Sequence, residues 1–394
     1  MLKYSTYLIL FTLMAGFYSC SQSDALEGTG GETYELIDGS LTTSDGNGIS
    51  GQNPGEPGVV TAGEWSDLIN WGFWSGLMMD NENFVHLEKW QLFPKNRYTV
   101  VLSDQSDRPV VDAEVRLYTS DHAIIWEART DNKGRAELWN GLDGINNLAG
   151  VVKVFYDGQE YALNPVVLFE QGENQYSLPI EAAASENADV MFMVDATGSM
   201  GDEITYLKTE MEDVIKRTAT TYSNINIRLS TVFYRDNQDI YLTRSHPFTS
   251  NISEVSNFVD EQFAGGGGDY EEAVHAALVE GLAQEWSEEA RARIIFLILD
   301  APPHNTPDII LNIQNSIKEA AQKGIKIIPV SASGINKETE FLMRVMAIAS
   351  NGTYTFITDD SGVGNDHLEP TLGQYEVEYL NDLLVRLIGE NCSY

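Results

Sequence analysis

The chain has 394 residues, with 59 aspartates and glutamates against 24 lysines and arginines, a formal net charge of −35. A surface so acidic repels phosphate backbones and anionic lipid, which argues against nucleic acid as a partner and in favour of cations or basic protein patches. The length and the 43% apolar content suit two or three domains with ordinary cores, and two cysteines at opposite ends, Cys20 and Cys392, make no disulfide framework.

The first twenty residues, MLKYSTYLILFTLMAGFYSC, place Lys3 before an apolar stretch and a small residue before Cys20. That order is a secretory signal, too short and wrongly flanked for a membrane span. Ending in Ser19-Cys20, it resembles a bacterial lipoprotein signal, which implies that Cys20 is acylated and that the mature protein is an outer-membrane lipoprotein of the cell envelope, held to the membrane through the lipid alone. The acidic SQSDALEG that follows is similar to stretches that send some lipoproteins to the cell surface. Residues 21–60, rich in Gly, Ser, Thr, Asp and Pro, cannot bury enough surface to fold and read as a flexible tether.

Residues 61–96 hold Trp65, Trp71, Trp74 and Trp90, and Leu68, Trp71, Trp74 or Ser75, and Met78 follow helical spacing. This predicts an amphipathic helix whose aromatic stripe packs against a neighbouring domain, with an exposed sugar-stacking platform as the alternative. Residues 97–182 change period: short β-rich runs alternate with turn chemistry at Asp107-Arg108-Pro109, Asp131-Asn132-Lys133-Gly134 and Asp157-Gly158. The expectation is a small antiparallel sandwich. Its Pro-Val, Ala-x-Val-x-Leu and Thr-Asp-x-x-Gly-x-Ala elements resemble the transthyretin-like, carboxypeptidase-regulatory-type sandwich, which implies a spacer module.

From about 187 onward strands and helices alternate. DVMFMVD, INIRLSTVFYRD, ARIIFLILDA, IKIIPVSAS and TYTFITDD read as strands, and 200–219, 252–263, 270–284, 307–323, 336–350 and 374–389 as helices. Near-continuous apolar strands require a parallel sheet covered on both faces. The predicted fold is therefore α/β, a doubly wound and mostly parallel sheet at 187–390 preceded by the smaller sandwich, each half folding by itself.

Three loops of this sheet carry oxygen donors: Asp195-Ala-Thr197-Gly-Ser199, Gly265-Gly-Gly-Gly-Asp269-Tyr-Glu-Glu272, and Asp300 at the end of IIFLILD. Carboxylate and hydroxyl oxygens without sulfur or convergent histidines suit a hard divalent cation. DVMFMVDATGSM resembles the first strand and the Asp-x-Ser-x-Ser metal-ion-dependent adhesion motif of von Willebrand factor type A domains, with Thr197 at the first serine position. GGGGDYEEA resembles the GGGDxPEA loop of bacterial members, and LILDAPPH the aspartate loop of the fourth strand. The resemblance implies that Thr197 and Ser199 bind Mg²⁺ directly (Mn²⁺ or Ca²⁺ as alternatives) and that Asp195 and Asp300 balance its charge. It also places Asp269 where many members offer a threonine. Three carboxylates around one 2+ ion would hold metal well and draw a partner's carboxylate less strongly.

The implied function is metal-dependent binding of a protein or surface macromolecule, without catalysis. An envelope-assembly scaffold with a purely structural metal is one alternative. A serine hydrolase is another: Thr197-Gly198-Ser199-Met200-Gly201 resembles a loosened nucleophile elbow, followed by Asp300 and then His304 or His367. Asp195 and Thr197 have no role in such a triad, and no oxyanion loop precedes Ser199. A phosphate-binding reading of GGGGD fails for want of Lys-Ser/Thr. The acidic run 359–370 lacks an EF-hand pattern and reads as a solvated loop.

Overall fold

A computed structural model describes residues 55–393. In chain order its elements are β1 (Thr61–Trp65), α1 (Trp71–Leu77), α2 (Asn81–Trp90), β2 (Arg97–Ser103), β3 (Glu114–Thr119), β4 (Ile124–Arg129), β5 (Arg135–Trp139), β6 (Ala149–Tyr156), β7 (Gln159–Leu163) and β8 (Asn174–Ser177). There follow β9 (Asn187–Asp195), α3 (Ile204–Thr221), β10 (Asn226–Tyr234), β11 (Thr243–Thr249), α4 (Ile252–Asp260), α5 (Val274–Leu282), β12 (Ala292–Leu299), α6 (Pro307–Lys323) and β13 (Ile325–Ser331). The chain continues through α7 (Lys337–Ala349), β14 (Tyr354–Ile357), β15 (Val377–Tyr379) and α8 (Leu380–Cys392).

Eight strands form one sheet in the order β11-β10-β9-β12-β13-β14-β1-β15. β10, β9, β12, β13 and β14 run parallel, while β11, β1 and β15 are added antiparallel to their neighbours. All eight residues of β12 are buried, as a strand covered on both faces requires. Alternation then divides the core. Val190, Phe192 and Val194 of β9 join a cluster with α3, α4 and α8, whereas Met191 and Met193 face α5, α6 and α7. The chain leaves β9 toward β10 on one side and later lays β12 on the other, so strand order reverses between β9 and β12. In open α/β sheets that crevice, at the carboxyl ends of the strands, is where ligands bind. Asp195 and Asp300 stand on its two sides.

Helix ends follow local chemistry. Thr306 accepts from the Ile309 N–H ahead of Pro307, and Gly324 closes α6 at φ 66°.

Residues 97–182 form two small sheets, β5-β2-β8 and β4-β3-β6-β7. They are antiparallel except that β2 pairs with β8 in parallel, a departure from the purely antiparallel expectation. Gly134, at φ 71°, makes the predicted turn; a Cβ there would lie 2.2 Å from the Leu102 carbonyl oxygen.

The segment before the sandwich departs most from expectation. Residues 61–65 are strand β1 of the large sheet, and the helical segment is two short helices, α1 and α2. Gly63 permits this, since a Cβ there would meet the Phe356 ring at 2.5 Å. Residues 58–60, expected at the end of the tether, are fixed: the buried Glu210 carboxylate of α3 accepts from the N–H groups of Gly58, Val59 and Val60 at 2.9, 2.8 and 3.1 Å. The expectation of a self-contained 187–390 is thereby corrected, because β14 and β15 both pair with β1. The last helix begins at Leu380, later than the expected 374, and β15 precedes it. Trp71, Trp74 and Trp90 are buried in the core shared with α7 and the sandwich, so they offer no stacking platform.

Candidate metal centre

β9 runs buried to its last residue, so Asp195 arrives at the sheet edge with no exposure to solvent. Its Oδ1 accepts from the Thr197 N–H at 2.9 Å and from Thr197 Oγ1 at 2.7 Å. Thr197 Oγ1 is 3.1 Å from Ser199 Oγ, and Ser199 is exposed. The three oxygens expected from the first loop are thus assembled, with an opening to solvent at Ser199. Asp300, 4% exposed, follows β12 directly. Asp195 Oδ2 and Asp300 Oδ1 are buried without a well-formed hydrogen bond; the buried Tyr234 hydroxyl faces Asp195, and the Ser199 hydroxyl faces Asp300. Burial, then mutual repulsion, raises the pKa of Asp300; burial first, opposed by the Thr197 hydrogen bonds, raises that of Asp195.

The glycine loop is stitched onto this strand end. Gly265 N donates to the Ala196 carbonyl at 3.0 Å, Gly198 N to the Gly266 carbonyl at 3.1 Å, and Gly267 N to Asp239 Oδ2 at 2.8 Å. Gly266 and Gly267 have φ of 81° and 75°, and a Cβ on Gly266 would strike Asp239 Oδ2 at 2.3 Å. Only glycine fits this close approach of backbone to carboxylate.

The structure redistributes the carboxylates of that loop. Asp269 is exposed, and its ligand atom gathers with those of Asp236 and His304, all within 4.8 Å of one another. The carboxylate that enters the field of Asp195 and Asp300 is Glu272. Its backbone N–H is tied to the Pro302 carbonyl at 2.9 Å, it is 3% exposed, and its Oε2 has no partner. Its Oε1 lies 2.9 Å from where a Gly267 Cβ would sit, a position 3.5 Å from the Thr197 Cβ. Burial, then Asp195, Asp236, Asp300 and Asp239, push its pKa up to about 9. Sequence reasoning placed Glu272 in a donor loop without giving it a role, and missed Asp236 and Asp239. Asp236 closes the run INIRLSTVFYRD much as Asp195 closes DVMFMVD, and that shared pattern was the available signal.

Buried carboxylate oxygens without hydrogen-bond donors are costly unless a cation compensates them. Asp195 and Asp300 with the Thr197 and Ser199 hydroxyls are all-oxygen donors of the kind a hard divalent ion takes. Glu272 shares their electrostatic field, but among the described residues these three carboxylates do not gather as closely as Asp236, Asp269 and His304 do. Neither histidine of the triad alternative reaches Ser199: His304 Nε2 is 2.7 Å from Asp236 Oδ1, and His367 lies between Glu203 and Asp359 at 3.0 and 2.8 Å. Among the described residues no hydrogen bond joins Ser199 to a histidine.

Fold and site together define a class of protein, an α/β sheet that collects acid and hydroxyl oxygens at its switch point. Residues 189–368 match the von Willebrand factor type A domain, and this part of the chain is such a domain. The chain is 32% identical over 125 residues to the alpha-protein kinase vwkA of Dictyostelium discoideum, covering 31% of this chain and 20% of that protein. It is 32% identical over 120 residues to an ariadne-like RING finger protein, R811, of Acanthamoeba polyphaga mimivirus, covering 30% of this chain and 11% of the relative. The matches therefore span a fifth or less of these relatives. Among solved structures, an aerotolerance-related membrane protein from Bacteroides fragilis is similar at 13% identity and a TM-score of 0.33, covering 52% of this chain and 98% of that one. The conserved hypothetical protein BatB from Bacteroides thetaiotaomicron is similar at 14% identity and 0.35, with the same coverages.

Proposed function

We propose that the protein is a cation-dependent binding module of the cell envelope, using the loops around Asp195 and Asp300 to hold a macromolecular partner without catalysis. The observation that carries this reading is the pair of buried carboxylates, Asp195 and Asp300, each with an oxygen lacking a well-formed hydrogen bond, beside the Thr197 and Ser199 hydroxyls. Mg²⁺ is the ion this donor set favours, with Mn²⁺ or Ca²⁺ as alternatives. Asp195, Thr197, Ser199 and Asp300 would hold it, with Glu272 adding negative charge to their field and the expected Asp269 gathered instead with Asp236 and His304. A bound cation would offset the repulsion among the carboxylates and give a partner an electrophilic anchor.

The surrounding loops suit a protein surface better than a small ligand. Ile240, Phe263 and Tyr270, on loops that also carry Asp236, the glycine run and Asp269, are 85%, 59% and 41% exposed. Tyr270 is braced by a 3.0 Å hydrogen bond to the Gly334 carbonyl. Apolar groups beside a charged centre are what an interface core and its anchor require. Acylation at Cys20, which lies outside the described residues, would tether the module to the outer membrane. Among the described residues no helix is long and apolar enough to cross a membrane.

Calorimetric and thermal titration with Mg²⁺, Mn²⁺ and Ca²⁺ tests the reading. At a hundredfold excess over Kd the ion should stabilise the fold by about 2.7 kcal/mol. Asp195→Ala should abolish that shift, and Ser199→Ala, which removes a neutral ligand, should weaken it less. A folded wild type that binds none of the three ions would end the proposal. Pull-down from envelope extract with and without chelator then tests whether the partner depends on the ion.

A further inference from the structure

We propose that Asp236, Asp269 and His304 hold a second divalent cation, of the Mn²⁺ to Zn²⁺ kind, on the same face as the first. The three side chains come from three separate loops: Asp236 follows β10, Asp269 ends the glycine run, and His304 follows β12. The tertiary fold alone brings their ligand atoms within 4.8 Å of one another. Ligands bound at about 2.0–2.2 Å from one ion are separated by roughly 3–4.5 Å, so small side-chain movements close the set. His304 Nε2, 2.7 Å from Asp236 Oδ1, already points its nitrogen into the group.

Two further features distinguish this group from an ordinary histidine–aspartate pair. Glu272, 3% exposed, has an oxygen without a hydrogen-bond partner and lies in the field of Asp236 and Asp239 as well as of Asp195 and Asp300. His275, whose buried Nδ1 also lacks a partner, feels both His304 and Asp236. The adjacent cation does not neutralise the cluster: Arg235 donates to the Phe263 carbonyl at 2.8 Å and stacks over the Tyr241 and Phe263 rings. Asp236 is held in place by its own N–H, which donates to Asp239 Oδ2 at 3.1 Å. One imidazole with two carboxylates departs from the all-oxygen set that Mg²⁺ and Ca²⁺ prefer and suits a borderline ion, leaving positions open for water or a partner's side chain.

This site stands independently of the first, and Co²⁺, which reports imidazole ligation in its visible spectrum, separates the two. The full chain should bind two Co²⁺. Asp195→Ala should keep one, with the imidazole-ligated spectrum. His304→Gln should lose that spectrum and keep the other ion. Asp269→Asn, an exposed change that leaves the fold intact, should weaken the second ion at least tenfold. Loss of the first ion alone in the wild type, with the spectrum and the His304 dependence intact, would leave this proposal standing and sink the first. Unchanged Co²⁺ affinity and spectrum in both His304→Gln and Asp269→Asn would overturn it, as would a wild-type stoichiometry of one that Asp195→Ala abolishes.

Discussion

His367 shows how one side chain can fasten a loop to the site from outside it. The run 359–370, expected to be a solvated loop, buries this imidazole to 4% exposure between Glu203 Oε1 and Asp359 Oδ1. Glu203 in turn accepts from the Ser333 N–H at 2.9 Å, which joins the loop after β13 to the entrance of α3. Burial alone would lower the His367 pKa, but the hydrogen bonds to Glu203 and Asp359 outweigh it and leave it raised. An unfolded imidazole titrates near 6.5, so folding takes up a proton between that value and the raised one. The stabilisation is full below about pH 6.5 and fades as pH climbs through the folded value. His367→Gln should therefore cost about 1–2 kcal/mol near pH 6, the scale of a charge-assisted hydrogen bond, and progressively less toward pH 9. Urea unfolding of both proteins across that range checks it; a pH-independent difference would mean the ring acts by packing alone.

Strand β1 shows the limit of reading elements one at a time. TAGEW lacks the long apolar run of β9, β12 and β13, and its place is set by partners far along the chain. Beyond its end, Asp67 forms a bidentate pair with Arg344 of α7 at 2.8 and 2.7 Å, both side chains essentially inaccessible, and also accepts from the Trp65 indole at 3.0 Å. Removing one member of such a pair leaves the partner's buried charge less compensated. Asp67→Asn should cost about 3 kcal/mol, at the lower end for a broken buried pair because Arg344 keeps the buried Glu340 carboxylate at 3.2 Å and the Thr371 carbonyl at 2.9 Å. A shift in the denaturant midpoint at unchanged slope would register it, whereas a loss under 1 kcal/mol would show that the pair is not a main tie of β1 to the sheet. β9 and β12 are the opposite case, since their unbroken apolar runs identify them, and the acids that end them, from sequence alone.

At the scale of the whole molecule, the large sheet and the two small sheets share core residues and are tied by ion pairs. Arg293 of β12 pairs with Asp112 of the sandwich at 2.8 and 3.0 Å, and Lys326 of β13 with Asp131 at 2.9 Å. The tryptophans of α1 and α2 enter the same core as α7. A fragment of residues 183–394 loses β1, uncovers one edge of β14 and leaves β15 without a partner. It should melt broadly or aggregate, while residues 55–394 should melt in a single transition. Calorimetry of the two decides the matter, and a sharp reversible melt of the shorter fragment would contradict the shared-core account.

Periodicity along the chain was enough to give the parallel sheet, most of its helices, the sandwich turns and the first-loop oxygens of Asp195, Thr197 and Ser199. These are local properties: two-sided burial needs continuous apolar strands, and Asp-x-Thr-x-Ser places its donors within five residues of one strand end. Tertiary structure alone decided that Glu272 enters the electrostatic field of Asp195 and Asp300 while Asp269 gathers with Asp236 and His304, and that a strand preceding the two small sheets completes the large one. Those outcomes depend on which loops meet at the switch point and on which side chains leave room, as Gly63 does for Phe356 and Gly266 for Asp239. No spacing within the chain encodes such long-range fits; they exist only once the backbone has closed.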